Sequence, residues 1–184
     1  CMSTRRQEVL VARNVHPESR EVVRTYANAR GIIVREIGYT DGVLDLKELE
    51  KAIGSQTAAV MVQNPNFFGA LEPLQQIAEL AHAHKALFIV SADPISLGIL
   101  EPPGKLGADI AVGEGQALGN SLSFGGPHFG YFCATDKLLR KMPGRIVGQT
   151  KDKDGKRAFT LTIQAREQHI RREKATSNIC SNHA

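Results

Sequence analysis

The chain has 184 residues, 42% of them hydrophobic, no tryptophan and a net charge of +4. That length suits one ordinary domain with a sizeable, mainly aliphatic core and leaves only marginal room for a second. No apolar run approaches the ~20 residues that a membrane-spanning helix needs, so no membrane partner is expected. The opening Cys1-Met-Ser-Thr-Arg-Arg6 has no apolar stretch of the signal-peptide kind. It also starts without an initiator methionine, so the chain is expected to be an excised piece of something larger.

Cys1, Cys133 and Cys180 show neither a CxxC nor a short metal-ligand spacing. They read as buried or idle thiols in a reducing cytosol. The charge is uneven. Lys137 to Lys174 carries 12 Lys or Arg against 4 acids, a local excess of +8, which leaves −4 on the rest. A basic segment of this kind suits nucleic acid, an anionic cofactor or an acidic partner surface.

In chain order, Val9–Ala12 reads as a short buried strand. Pro17 stands at a plausible first helical position, and a helix through Val22, Val23, Tyr26 and Ala27 should end at Ala29-Arg30-Gly31. Ile32–Ile37 is a second strand. Asp45 caps an amphipathic helix to Ile53 with Leu46, Leu49, Ala52 and Ile53 on one side. Thr57–Gln63 is apolar almost throughout, as a parallel strand covered on both faces should be. A loop follows at Asn64–Gly69, then a helix over Pro73–Lys85 with Leu74, Ile77, Ala78 and Ala81 inward. Further strands are expected at Ala86–Ser91, Asp109–Val112 and Tyr131–Ala134, and a helical turn at Lys137–Lys141. Lys151–Gly155 should turn a charged hairpin, with Phe159–Ile163 as its return strand. Gln164–Lys174 suits a polar helix or an extended arm. Strands alternating with helices at this spacing predict an α/β fold, a three-layer α/β/α sandwich around a mostly parallel sheet.

In such a sheet, ligands bind beyond the carboxyl ends of the strands. Three polar loops should gather there: Asn64–Gly69, Ser91–Ser96 and Gly113–Asn120. Asp93 ends a strand before a proline, where a carboxylate can hold a cationic ring nitrogen or simply cap a turn. Glycines at 113, 115, 119, 125, 126 and 130 allow positive φ and could cradle an anion. Yet Gly113-x-Gly115 has no third glycine at the dinucleotide offset, and no Walker motif is present. Arg166, Arg171, Arg172 and Lys174, with His169 among them, could bind phosphate or carboxylate or form a solvated helix face. No aromatics are interleaved with them for base stacking, which argues against nucleic acid. His82 and His84 are two apart on a helix and point in different directions, so no metal site is expected. No Ser/His/Asp set can be placed.

Several motifs together resemble one family. They are Val60-Met-Val-Gln-Asn-Pro-Asn-Phe-Phe-Gly69, Asp93-Pro-Ile-Ser-Leu-Gly98, Gly107-Ala-Asp-Ile110, Gly113-Glu-Gly-Gln-Ala-Leu-Gly-Asn120 and Ser123-Phe-Gly-Gly-Pro127. Lys141-Met-Pro-Gly-Arg-Ile-Val-Gly148 and Arg166-Glu-Gln-His-Ile-Arg-Arg-Glu-Lys-Ala-Thr-Ser-Asn-Ile-Cys180 extend the match. The chain resembles the P-protein of the glycine cleavage system, glycine dehydrogenase (decarboxylating), and within it the subunit 1, α-type half of the split bacterial and archaeal form.

The resemblance implies the large domain of a fold-type-I pyridoxal-phosphate enzyme, with residues 1–184 as its core and parts missing on both sides. It implies a cytoplasmic oxidoreductase of glycine catabolism, a heterotetramer that decarboxylates glycine and passes the aminomethyl group to the lipoyl H-protein. The family's catalytic half carries a Schiff-base lysine after the strand that matches Asp109–Val112. Here Gln116, or a near neighbour, takes that place, and no lysine lies between Lys105 and Lys137. Glutamine cannot form an imine. The resemblance therefore assigns pyridoxal phosphate and catalysis to the partner, subunit 2, and leaves this half without a catalytic residue. Asp93 falls where such enzymes pair an aspartate with the pyridine nitrogen, here a relic or a structural cap. Arg166, His169, Arg171, Arg172 and Lys174 become candidates for the subunit interface. Two other readings stand behind this one: a self-sufficient pyridoxal-phosphate enzyme using Lys174 or Lys105, and a nucleic-acid-binding module using the basic third.

Overall fold

The run Glu8–Ala12 forms β1 of the computed structural model, which describes residues 1, 3–142 and 146–162. His16 caps the following helix α1, Pro17–Asn28: its ring nitrogen accepts the Glu18 N–H, and Pro17 takes the first turn, where no backbone donor is missed. β2 is Ile33–Ile37. A tight hairpin follows, β3 at Tyr39–Thr40 and β4 at Val43–Leu44. Asp41 and Gly42 at its tip have φ of +52° and +80°, the pair of left-handed residues that a type I′ turn requires. Sequence periodicity does not predict this hairpin, because two-residue arms show no alternation.

The Asp45 carboxylate accepts the N–H groups of Lys47 and Glu48 and so caps α2, Leu46–Ala52. β5 is Thr57–Asn64. α3 spans Leu74–Ala83 and buries Leu74, Ile77, Ala78 and Ala81, the stripe its spacing predicts. Its ends fall inside the expected Pro73–Lys85. Pro73 is the cap residue, and Lys85 has left the helix with φ +57°. β6 is Leu87–Ala92, β7 Ile110–Glu114 and β8 Gly130–Ala134.

These strands form a six-stranded sheet in the order β2-β1-β5-β6-β7-β8. β1 pairs parallel with β2 and β5, β5 with β6, and β6 with β7. β8 returns along β7: the Gly115 N–H donates to the Phe129 carbonyl at 2.7 Å, and Gly113 lies against Tyr131. The path from β1 steps out to β2, then crosses back past β1 to β5. Right-handed crossovers then place α1 on one face and α2 and α3 on the other. This is the mostly parallel α/β architecture that the alternation of elements predicts.

Leu10, Val11, Val60, Val62, Phe88 and Val90, from the three central strands β1, β5 and β6, are sealed from solvent and pack with Leu49 and Ile77. Each large side chain buried in this way contributes about 1.5–3 kcal/mol. The loops that leave the carboxyl ends of these strands therefore start from the most fixed part of the fold.

The chain divides into two compact units, Cys1–Cys133 and Ala134–Ala184. In the second, a 3₁₀ turn at Asp136–Lys141 falls at the helical turn expected over Lys137–Lys141. An antiparallel hairpin follows, β9 at Ile146–Lys151 and β10 at Arg157–Thr162. Asp152 turns it by accepting the N–H groups of Asp154 and Lys156. The Arg157 guanidinium lies 5.7 Å from the centre of the exposed Phe159 ring.

Candidate active-site cleft

The direction of the chain path reverses between β1 and β5, and a crevice opens beyond the carboxyl ends of such strands. In the first unit it is an open cleft of about 650 Å³. All three expected loops reach it: Gln63 and Pro65 from β5, Ser91 and Asp93 from β6, and Glu114 and Gln116 from β7. His16 and Ser19, after β1, and Tyr131, on β8, also line it.

On the side of β1 and β5, the loops are held by a buried carboxylate. Glu72 Oε1 accepts from both Asn14 Nδ2 and Asn66 Nδ2 at 2.6 Å, and its Oε2 accepts the Leu44 N–H at 3.1 Å. The Glu72 N–H donates to Asn64 Oδ1 at 2.9 Å. Asn14 and Asn66 also donate to the Gly42 carbonyl. One side chain thereby joins the loop after β1, the β3–β4 hairpin and the Asn64–Gly69 loop. A buried charge is tolerated only when its lone pairs are met in this way. The Gln63 amide oxygen accepts the His16 N–H at 2.8 Å, and the His16 ring meets Phe67 edge-on with centroids 5.2 Å apart.

On the side of β6 and β7, Asp93 Oδ1 accepts the Ile95 N–H at 3.0 Å, and the Asp93 carbonyl accepts the Ser96 hydroxyl at 2.7 Å. The aspartate thus starts the 3₁₀ turn Ser96–Gly98 while it faces the cleft. The Tyr131 hydroxyl donates to the Ala92 carbonyl at 2.6 Å. Burial chiefly, then the charges of Cys133 and Asp93, raise the Tyr131 phenol above its ordinary range, so it acts as a neutral donor. Glu114 Oε1 accepts the N–H groups of Gln116 at 2.9 Å and Phe129 at 3.0 Å, with His128 Nδ1 at 3.7 Å. Those bonds, the one from Phe129 first, hold its carboxyl below the usual carboxylate range. The Gln116 amide group donates to the Asn120 carbonyl at 2.7 Å.

The candidate residues Asp93 and Gln116 therefore share one cleft, and no lysine lines it among the described residues. Lys105 lies before β7 begins, at the opposite end of the sheet, paired with Glu101 at 3.3 Å. Arg166, His169, Arg171, Arg172 and Lys174 lie outside the described residues. Among the described residues no three His, Cys, Asp or Glu side chains cluster as metal ligands, and no helix is long and apolar enough to cross a membrane. Cys1 and Cys133 are free thiols. His82 pairs with Asp109 at 2.9 Å, away from the cleft. Sequence reasoning misses His16 and Tyr131. His16 has a usable signal, since it follows an apolar strand and precedes a helix, as the other cleft loops do. Tyr131 has none, because its place depends on β8 folding back beside β7.

The family model described as glycine cleavage system P-protein matches residues 1–184. The probable glycine dehydrogenase (decarboxylating) subunit 1 of Carboxydothermus hydrogenoformans is 63% identical over 181 residues, 98% of this chain and 41% of its own length. The protein of the same description from Moorella thermoacetica is 59% identical over 184 residues, all of this chain and 41% of its own length. A crystal structure of glycine decarboxylase (P-protein) of the glycine cleavage system in inhibitor-bound form aligns with 99% of this chain and 41% of that one, at a TM-score of 0.89 and 50% identity. An aspartate aminotransferase variant of Thermus thermophilus aligns with 72% of this chain and 38% of that one, at a TM-score of 0.58 and 25% identity. The chain thus spans 41% of the length of these P-protein relatives.

Proposed function

Because the chain belongs to the glycine cleavage system P-protein family, we propose that it is the large-domain core of subunit 1 of glycine dehydrogenase (decarboxylating), the half that holds no covalent cofactor. The observation that carries this reading is Gln116. It occupies the cleft just after β7, its amide donates to Asn120, and no lysine lines the cleft among the described residues. Pyridoxal phosphate is anchored through an imine to a lysine, and the side chains that line this cleft offer none. The Lys105 ammonium, at the far end of the sheet beside Glu101, cannot substitute.

In this reading the cofactor sits on the catalytic partner, subunit 2, where glycine is decarboxylated and the aminomethyl group passes to the lipoyl H-protein. This half shapes the partner's site. Asp93 is retained as the cap of its turn, and the basic segment with Arg166, His169, Arg171, Arg172 and Lys174 faces the partner. The assembly is a cytoplasmic heterotetramer. The test is glycine-dependent carbon dioxide exchange, with H-protein present, for full-length subunit 1 alone, subunit 2 alone and their mixture. The mixture is expected to be active and subunit 1 alone inactive. Exchange by subunit 1 alone would overturn the reading.

A further inference from the structure

The cleft of the first unit carries formal charge of one sign. Asp93 and Glu114 line it, and among the described residues no Lys or Arg does, in a chain that has 23 of them and a net charge of +4. A cleft lined by one sign of charge focuses its field on whatever enters. The phosphate of pyridoxal phosphate is an anion, and both acids repel it. The Tyr131 hydroxyl offers it no donor, because its proton is spent on the Ala92 carbonyl.

A phosphate held without a cation needs several backbone N–H groups, at a helix N-terminus or a glycine turn. The cleft has one of each, and in both the donors are already engaged within the chain. At the start of α1, the His16 N–H donates to Gln63 Oε1 at 2.8 Å, Pro17 has no N–H, and the Glu18 N–H donates to the His16 ring. Ser19 is left to meet an anion there, next in sequence to the Glu18 carboxyl, which opposes a second negative charge at a helix start. In the glycine turn after β7, the Gly115 N–H donates to the Phe129 carbonyl and the Gln116 N–H to Glu114, while the Gln116 side-chain amide donates to Asn120. The glycines that the sequence offers as an anion cradle therefore cradle none.

We infer that this cleft selects against phosphate: it takes a small cationic molecule in preference to the phosphorylated form of the same molecule. Asp93 and Glu114 set the preference by charge, and the bond between His16 and Gln63 sets it by withholding a donor. The inference deepens the proposed function and rests on it. The residues present do not fit pyridoxal phosphate, with or without an imine, so the absence of a lysine is only half of the difference. Gln116→Lys would supply a nucleophile and still leave the phosphate without a seat.

The experiment is calorimetric titration of full-length subunit 1, without subunit 2, with pyridoxamine and with pyridoxamine 5′-phosphate. The two probes differ only in the phosphate, and neither forms an imine with a lysine. Pyridoxamine should bind more tightly than its phosphate by about tenfold or more, and its affinity should fall as salt is raised. Asp93→Asn combined with Glu114→Gln, checked for unchanged melting temperature, should abolish that preference. Where the double variant does not fold, the salt dependence in the wild type decides. The phosphate binding as tightly as pyridoxamine or more so overturns the inference, as does a preference that survives the double variant or is indifferent to salt. Pyridoxamine that fails to bind at millimolar concentration overturns it too. None of these outcomes touches the proposed function, which fails only if subunit 1 alone is active or carries a pyridoxyl lysine.

Discussion

The Glu114 carboxylate accepts the backbone N–H of Phe129 at 3.0 Å, joining two residues that lie 15 apart in the chain and closing the neck of the loop between them. Gln116 donates to the same oxygen. Glu114 is therefore a tether, and its protonation state sets the tether's strength.

Its carboxyl is held below the usual range, chiefly by the Phe129 N–H. A depressed carboxylate contributes stability that is present above the ordinary carboxylate range and lost as pH falls through the lowered value. The Phe129 amide resonance should hence stay fixed from neutral pH down to about pH 5 and shift only below the ordinary range. In Glu114→Gln it should be displaced at every pH. A wild-type midpoint above the ordinary carboxylate range would contradict this assignment.

Glu72→Ala leaves the side-chain amides of Asn14 and Asn66 without their carboxylate and the Leu44 N–H unpaired. Stranded buried donors are costly, so the variant should lose about 2–3 kcal/mol in denaturant unfolding. A loss under about 0.5 kcal/mol, the usual bound for an inconsequential surface change, would show that the three loops do not depend on Glu72.

Gly113→Ala should be far worse than Gly104→Ala. A Cβ at Gly113 would run into the Ala92 carbonyl oxygen and the Tyr131 ring, whereas one at Gly104 meets nothing within 4 Å. Backbone oxygen cannot move aside as a side-chain end can, so β6, β7 and β8 would have to part. Melting temperatures of the two variants check this. Equal values would place Gly113 in a looser setting than its neighbours indicate.

Charge reversal at Arg171 and Arg172 together, in the full-length subunit, should abolish co-purification with subunit 2 and glycine exchange activity. Assembly and activity left intact would remove the basic segment from the interface.

Much of the fold is legible because its signals are local. The apolar run Thr57–Gln63 predicts a strand buried on both faces, and β5 is almost entirely buried. Asp45 predicts a cap and makes its two hydrogen bonds. Pro17 predicts the start of α1. The three polar loops are expected at one end of the sheet, and Gln63, Asp93 and Gln116 line one cleft there. The parts that escape are those set by strand order. His16 enters the cleft because β1 pairs with β5, Tyr131 because β8 folds back along β7, and Glu72 becomes a clamp because three loops distant in sequence converge on it.

The central claim of the proposed function is that this chain carries no cofactor lysine. Full-length subunit 1, incubated with pyridoxal phosphate alone or mixed with subunit 2, can be trapped with borohydride and mapped by mass spectrometry. The account predicts a stoichiometric pyridoxyl adduct on a lysine of subunit 2 and none on this chain. A stoichiometric adduct on any single lysine of this chain, Lys105 and Lys174 included, would contradict it.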